Sequence, residues 1–108
     1  MRGEELIETA EKACELLRVL SNPKRLLILC HLADGELSVQ QIQNATGLGQ
    51  STVSQQLAIM RGERLVSTRR EAQSVFYSLE SGKARSVIEA LQDIYAPDPS
   101  RNRTALHG

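Results

Sequence analysis

Gly49-Gln50-Ser51-Thr52-Val53-Ser54-Gln55-Gln56-Leu57-Ala58-Ile59-Met60-Arg61 carries no charge until its last residue. Val53, Leu57 and Met60 recur at four- and three-residue steps and mark an inward helical stripe, which turns Gln50, Ser51, Ser54, Gln55, Ala58 and Arg61 outward. The outward face of a surface helix usually carries charge; here it carries short hydroxyl and amide groups. Gln can form a bidentate pair with adenine, Ser and Thr can donate to or accept from most base edges, and a carboxylate would repel phosphates. Such a face suits a DNA groove. A Gln- and Ser-rich helix is also a common solvated surface, so the flanking sequence has to decide.

Upstream, Ser38-Val39-Gln40-Gln41 is a capping box that opens a short helix through Ala45. Thr46-Gly47-Leu48-Gly49 is a tight turn into the quoted helix, which is expected over Gln50 to Glu63. Downstream the hydrophobic period changes to two: Leu65 to Arg70, a polar tip at Glu71-Ala72-Gln73-Ser74, then Val75 to Leu79, a β-hairpin. Arg61, Arg64, Arg69 and Arg70 stand against Glu63 alone in residues 61 to 70. A capped helix, a glycine turn, an uncharged polar helix and a basic hairpin, in that order, form a winged helix-turn-helix. In such a motif the second helix of the pair enters the major groove.

Two helices precede this unit. From Glu4 to Leu20 the residues Leu6, Ile7, Ala10, Cys14, Leu17 and Leu20 recur at helical spacing. Ser21-Asn22-Pro23 breaks and restarts the chain, with Asn22 as N-cap, Pro23 at the first helical position, and Asp34-Gly35 ending the second helix at a left-handed glycine. A last helix is expected from a Ser81 cap through Tyr95, stopped by Pro97 and Pro99. The fold class is therefore mainly α with a β-hairpin wing, in the order α-α-α-α-β-β-α. One domain spans residues 1–96, and residues 97–108 form a tail expected to be mobile.

Composition bounds the function. A chain of 108 residues, 41% hydrophobic with a single Phe, two Tyr and no Trp, fits one small helical domain. Thirteen basic and thirteen acidic residues balance overall, but residues 1 to 36 hold five basic and seven acidic side chains and residues 37 to 60 hold none. The positive charge is concentrated directly after the quoted helix, where phosphates would lie. No window approaches the ~18 apolar residues of a membrane span, so a soluble cytoplasmic protein without a membrane partner is expected. Two histidines and two cysteines assemble no Ser/His/Asp, Cys/His, metal or phosphate-loop arrangement. Neither an enzyme nor a cofactor is expected.

Ser21 to Leu29, Gly35 to Val39, Gln50 to Leu57 and Ser67 to Leu79 resemble the ArsR/SmtB family of bacterial winged-helix repressors over about residues 5 to 96. Glu71 to Tyr77 is especially similar to its non-metal branch, which holds the rhizobial nodulation repressor, the Vibrio haemolysin activator and the biofilm-growth persulfide sensor. The resemblance implies a homodimer built from the first and last helices, bound to an imperfect palindromic operator in double-stranded DNA. Gln50, Ser51, Ser54 and Gln55 would then read bases, with Thr52, Ser38, Arg69, Arg70 and Gln73 on backbone or minor groove. The wide apolar stripes of both outer helices point to a partner surface independently. A winged-helix module that binds protein through the same face is the rival reading.

The family's sensor sites match in part. Its metal sites would need thiolates at Glu36-Leu37-Ser38-Val39-Gln40 or His beside Glu89 and Asp93, and neither is present. His31 and His107 are isolated. Thiol-sensing relatives pair a Cys of the second helix, matched by Cys30, with one near the end of the last, where this chain has Ala96. A tight hairpin of the first two helices would bring Cys14 opposite Cys30; a splayed crossing would part them beyond the ~7 Å a disulfide tolerates. Both cysteines lie on apolar faces, as inert core thiols do. A single-thiol sensor at Cys30, with its pKa lowered by Lys24 or Arg25, is the alternative. A small-molecule or reactive-sulfur effector remains open at this point.

Overall fold

The computed structural model describes residues 1–80 and 82–96. The chain runs α1 (Gly3–Leu20), α2 (Pro23–Ala33), β1 (Leu37–Ser38), α3 (Val39–Thr46), α4 (Gln50–Gly62), β2 (Val66–Glu71), β3 (Ser74–Leu79) and α5 (Gly82–Tyr95). Ser81, Pro97, Pro99, the tail and His107 lie outside the described residues.

The helix boundaries follow from their caps. Asn22 Oδ1 accepts from the amides of Lys24 and Arg25 at 3.0 and 3.1 Å, which opens α2 ahead of Pro23. Ser38 and Gln41 complete the expected capping box of α3, and Gly47, at φ 76°, closes that helix with its amide on the Gln43 carbonyl. Asp34 is the C-cap of α2, and Gly35 follows it at φ 150°, a positive value that favours glycine, with its amide on the Leu32 carbonyl.

The exit from α4 comes one residue before the expected Glu63. The helix ends early, at Gly62, and Arg64 also takes the left-handed conformation, at φ 60°. Leu65 N–H bonds the Met60 carbonyl and Arg64 N–H bonds the Arg61 carbonyl. This is a Schellman closure with arginine where glycine is usual, and Leu65 and Met60 on either side of it are both buried in the core.

The sheet differs from expectation. It has three antiparallel strands in the order β1-β3-β2, because Leu37 and Ser38 pair with Tyr77 and Phe76. The hairpin is also tighter, since Glu71 pairs with Ser74 and leaves a two-residue loop, Ala72-Gln73, with Ala72 at φ 54°. The buried core is aliphatic: Ile28, Leu29 and Leu32 of α2 lie at its centre, surrounded by Leu20, Ile42, Val53, Leu57, Met60, Leu65, Val66, Ala84 and Ile88. One helix thus serves as the floor on which α3, α4, β3 and α5 all rest.

Arg64→Gly relieves the left-handed strain and should raise stability by about 1 kcal/mol, read as a higher urea midpoint with an unchanged slope.

Candidate nucleic-acid interface

Val53, Gln56, Leu57 and Met60 are the buried residues of α4, so its rotation about its own axis is fixed by contacts to the core. Gln50, Ser51, Ser54, Gln55, Ala58 and Arg61 are exposed, as the stripe predicts, and Thr52 is half-buried at the edge of that face. Gly49 precedes the helix and supplies no side-chain cap, in contrast to Asn22 on α2 and Ser38 on α3. The first-turn amides of α4 therefore have no side-chain acceptor, and together with the helix dipole they offer a place for an anionic oxygen. Ser38 Oγ accepts from the Gln41 amide at 3.2 Å, which leaves its own O–H free to donate.

The wing arginines, equivalent in sequence, have different surroundings. Arg69 Nε lies 3.2 Å from both carboxylate oxygens of Glu36, its Nη1 lies 2.6 Å from Glu71 Oε2, and its guanidinium stacks 5.0 Å from the centre of the Phe76 ring. Those hydrogen bonds hold the Glu36 carboxyl below its ordinary value and raise Arg69 further. Arg69 thus fastens the wing to the segment ahead of β1, with two carboxylates offsetting its charge. Arg61, Arg64 and Arg70 are exposed and form no ion pair among the described residues. Gln73 is exposed in the hairpin loop.

The cysteines depart from expectation. Both are free thiols; Cys14 is exposed on α1 and is not part of the core, while Cys30 is half-buried. Cys30 packs against the core with Gln92 of α5 close enough to influence its thiol, and the two cysteines form no disulfide. Burial, and secondarily the charge of Asp34, raise the Cys30 pKa, and the nearby Gln92 side chain only partly opposes them. The lowering expected from Lys24 or Arg25 is not found, because the Arg25 guanidinium is turned toward Val19 and Gln56. No group of three or more His, Cys, Asp or Glu comes together among the described residues. No helix among them is long and apolar enough to cross a membrane.

Residues 22–68 match the model of the arsR family of bacterial regulatory proteins. The chain is 44% identical over 95 residues to the transcriptional activator HlyU of Vibrio cholerae, covering 88% of each sequence. It belongs to the arsR family. The solved structure of reduced HlyU superposes with a TM-score of 0.81 over 87% of this chain and 99% of that one. The transcriptional repressor BigR of Xylella fastidiosa, 38% identical, gives 0.83 over 91% and 100%. A homodimeric winged helix-turn-helix DNA-binding domain from Mycobacterium bovis, 26% identical, gives 0.69 over 87% of each. This arsR-family chain is accordingly a winged-helix, DNA-binding transcriptional regulator and not an enzyme.

Two features were missed by sequence reasoning. Glu36 lies 33 residues from Arg69, and nothing local links them. Gln56 is buried among exposed glutamines, although its position, three after Val53 and four before Met60, would have placed it on the inward stripe.

A depressed carboxylate contributes stability that is fully present above its unfolded value, near 4.5, and is lost as pH falls through its lower folded value. Glu36→Gln should therefore destabilise the protein at neutral pH, with the difference from wild type vanishing in acid. Urea unfolding across pH checks this, and a constant difference at every pH refutes it.

Proposed function

We propose that the protein is a homodimeric repressor that binds an imperfect palindromic operator in bacterial DNA, in the cytoplasm. The observation that carries this is the uncharged polar face of α4, whose first turn lacks a side-chain cap, beside the exposed and unpaired Arg61, Arg64 and Arg70. Gln50, Ser51, Ser54 and Gln55 read base edges, and Thr52, Ser38, Arg70 and Gln73 contact phosphates or the minor groove. Arg69 supports the wing, and reaches a phosphate only if one competes with Glu36.

Dimerisation is supported by α1. Leu16, Val19 and Leu20 turn toward the core, whereas Leu6, Ile7 and Leu17, with Ala10 and Cys14, form a second apolar face left in solvent. Ile7 is 62% exposed, and Ile94 and Tyr95 at the end of α5 are 68% and 79% exposed. A monomer has no reason to maintain such faces, and a two-fold pairing covers both. The M. bovis neighbour, described as homodimeric, supports the same reading.

For thiol control the chain offers Cys30, half-buried on α2 with Gln92 of α5 nearby. Peroxide converts its thiol to a sulfenic acid with release of water, which adds an oxygen near the contact of α2 with α5. DNA affinity before and after peroxide or persulfide treatment, with Cys30→Ser as control, tests this; equal affinity of untreated and treated wild type removes it.

Selection of bound genomic DNA defines the operator. On it, Gln55→Ala should lose ~1–3 kcal/mol on the specific site, and Arg70→Ala should weaken all sequences and lower the salt slope by about one. Salt-independent binding would favour the protein-interaction module instead. Leu17→Glu should give monomers by sedimentation.

A further inference from the structure

Gln56 is the one buried polar side chain among the described residues, 9% exposed, on a helix whose other glutamines face solvent. Its Oε1 accepts from Arg25 Nη1 at 3.4 Å. Arg25 Nε donates in turn to the Val19 carbonyl at 2.7 Å. Val19 is in the last turn of α1, where main-chain carbonyls lack partners within the helix; Arg18 and Leu20 receive theirs from the amides of Ser21 and Asn22. One guanidinium, on a residue whose main-chain amide donates to the Asn22 cap at the start of α2, therefore joins the end of α1 to the middle of α4. Apart from this link, α1 is held mainly by Leu16, Val19 and Leu20 near its C-terminal end, and the first fifteen residues of the chain are exposed.

We propose that Arg25 and Gln56 are positioning residues that set the angle between the dimerisation helix and the recognition helix, and through it the spacing of half-sites the dimer accepts. This rests on the homodimer reading, with α1 in the interface. The leverage is large. An α1 of 18 residues is about 27 Å long at ~1.5 Å per residue. A tilt of roughly 5° at its base moves its far end by roughly 2 Å, an appreciable part of the ~3.4 Å between successive base pairs. Half-site spacing follows from protein symmetry only if the angle between symmetry axis and reading helix is held. Arginine suits this role because its planar fork can donate to two acceptors at fixed separation, whereas Lys has a single nitrogen.

The test uses the full chain and the operator recovered by selection, in libraries where the half-sites are constant and their separation changes one base pair at a time. Wild type should favour one separation. Gln56→Leu and Arg25→Lys should bind that optimum roughly tenfold more weakly while their affinity for a single half-site stays within about twofold. Their preference over neighbouring separations should flatten. Gln56→Glu, which keeps an acceptor for Arg25, should retain the wild-type profile. Thermal melts and sedimentation on each variant identify losses due to unfolding or to dissociation of the dimer. An unchanged spacing profile in folded Gln56→Leu and Arg25→Lys dimers overturns the inference, as does an equal loss on half-sites and on every spacing. If wild type sediments as a monomer without a spacing preference, the dimer reading fails and takes the inference with it; a dimeric wild type with insensitive variants defeats the inference alone.

Discussion

What the protein offers a partner depends on how α4 is seated. Four buried positions, Val53, Gln56, Leu57 and Met60, fix the rotation of that helix against the floor made by Ile28, Leu29 and Leu32. A turn of one residue position, ~100° about the axis, would bury Gln50 and Ser54 and expose Met60. The remaining elements serve this placement: α3 and its capping box set the direction of entry, the Schellman closure at Arg64 sends the chain into the sheet, and Arg69 with Glu36 keeps the wing beside the helix.

Electrostatics act at the scale of segments. A chain with zero net charge still separates its functions, with acidic residues on α1, none of either sign from 37 to 60, and basic residues in the α4–wing corner. In the proposed complex the uncharged face of α4 would avoid both repulsion of phosphate and the desolvation of charges that would find no partner at a base edge. Attraction is supplied by neighbours that can keep their heads in water. Nor is the wing uniformly cationic, since Glu36 and Glu71 offset Arg69 and leave Arg70 as the free charge of β2.

Much of this was legible in the sequence wherever the signal is local. Asn22 and Pro23, Ser38 and Gln41, and Gly47 and Gly49 marked helix ends because capping is decided within four residues. The outward face of α4 followed from periodicity. What escaped is set by contacts distant in sequence. A two-residue strand, Leu37–Ser38, is too short to show alternation and exists only because β3 is beside it. The surroundings of Cys14 and Cys30 depend on how α1 leaves the core and how α5 closes over α2, and each cysteine sits on an apolar stripe in sequence whichever way the helices cross.

The sparse attachment of α1 has a consequence for gene control. Only Leu20 of its 18 residues is buried within the protomer, and in proteins most helical stability comes from tertiary packing of an apolar face. If protomers pair through α1, ordering of the helix and association become one equilibrium. Occupancy of an operator would then rise more steeply than in proportion to the number of chains in the cell. Such a regulator would respond to its own synthesis and dilution, since halving the chain concentration below the dimer dissociation constant lowers the dimer population by more than half without any signal molecule.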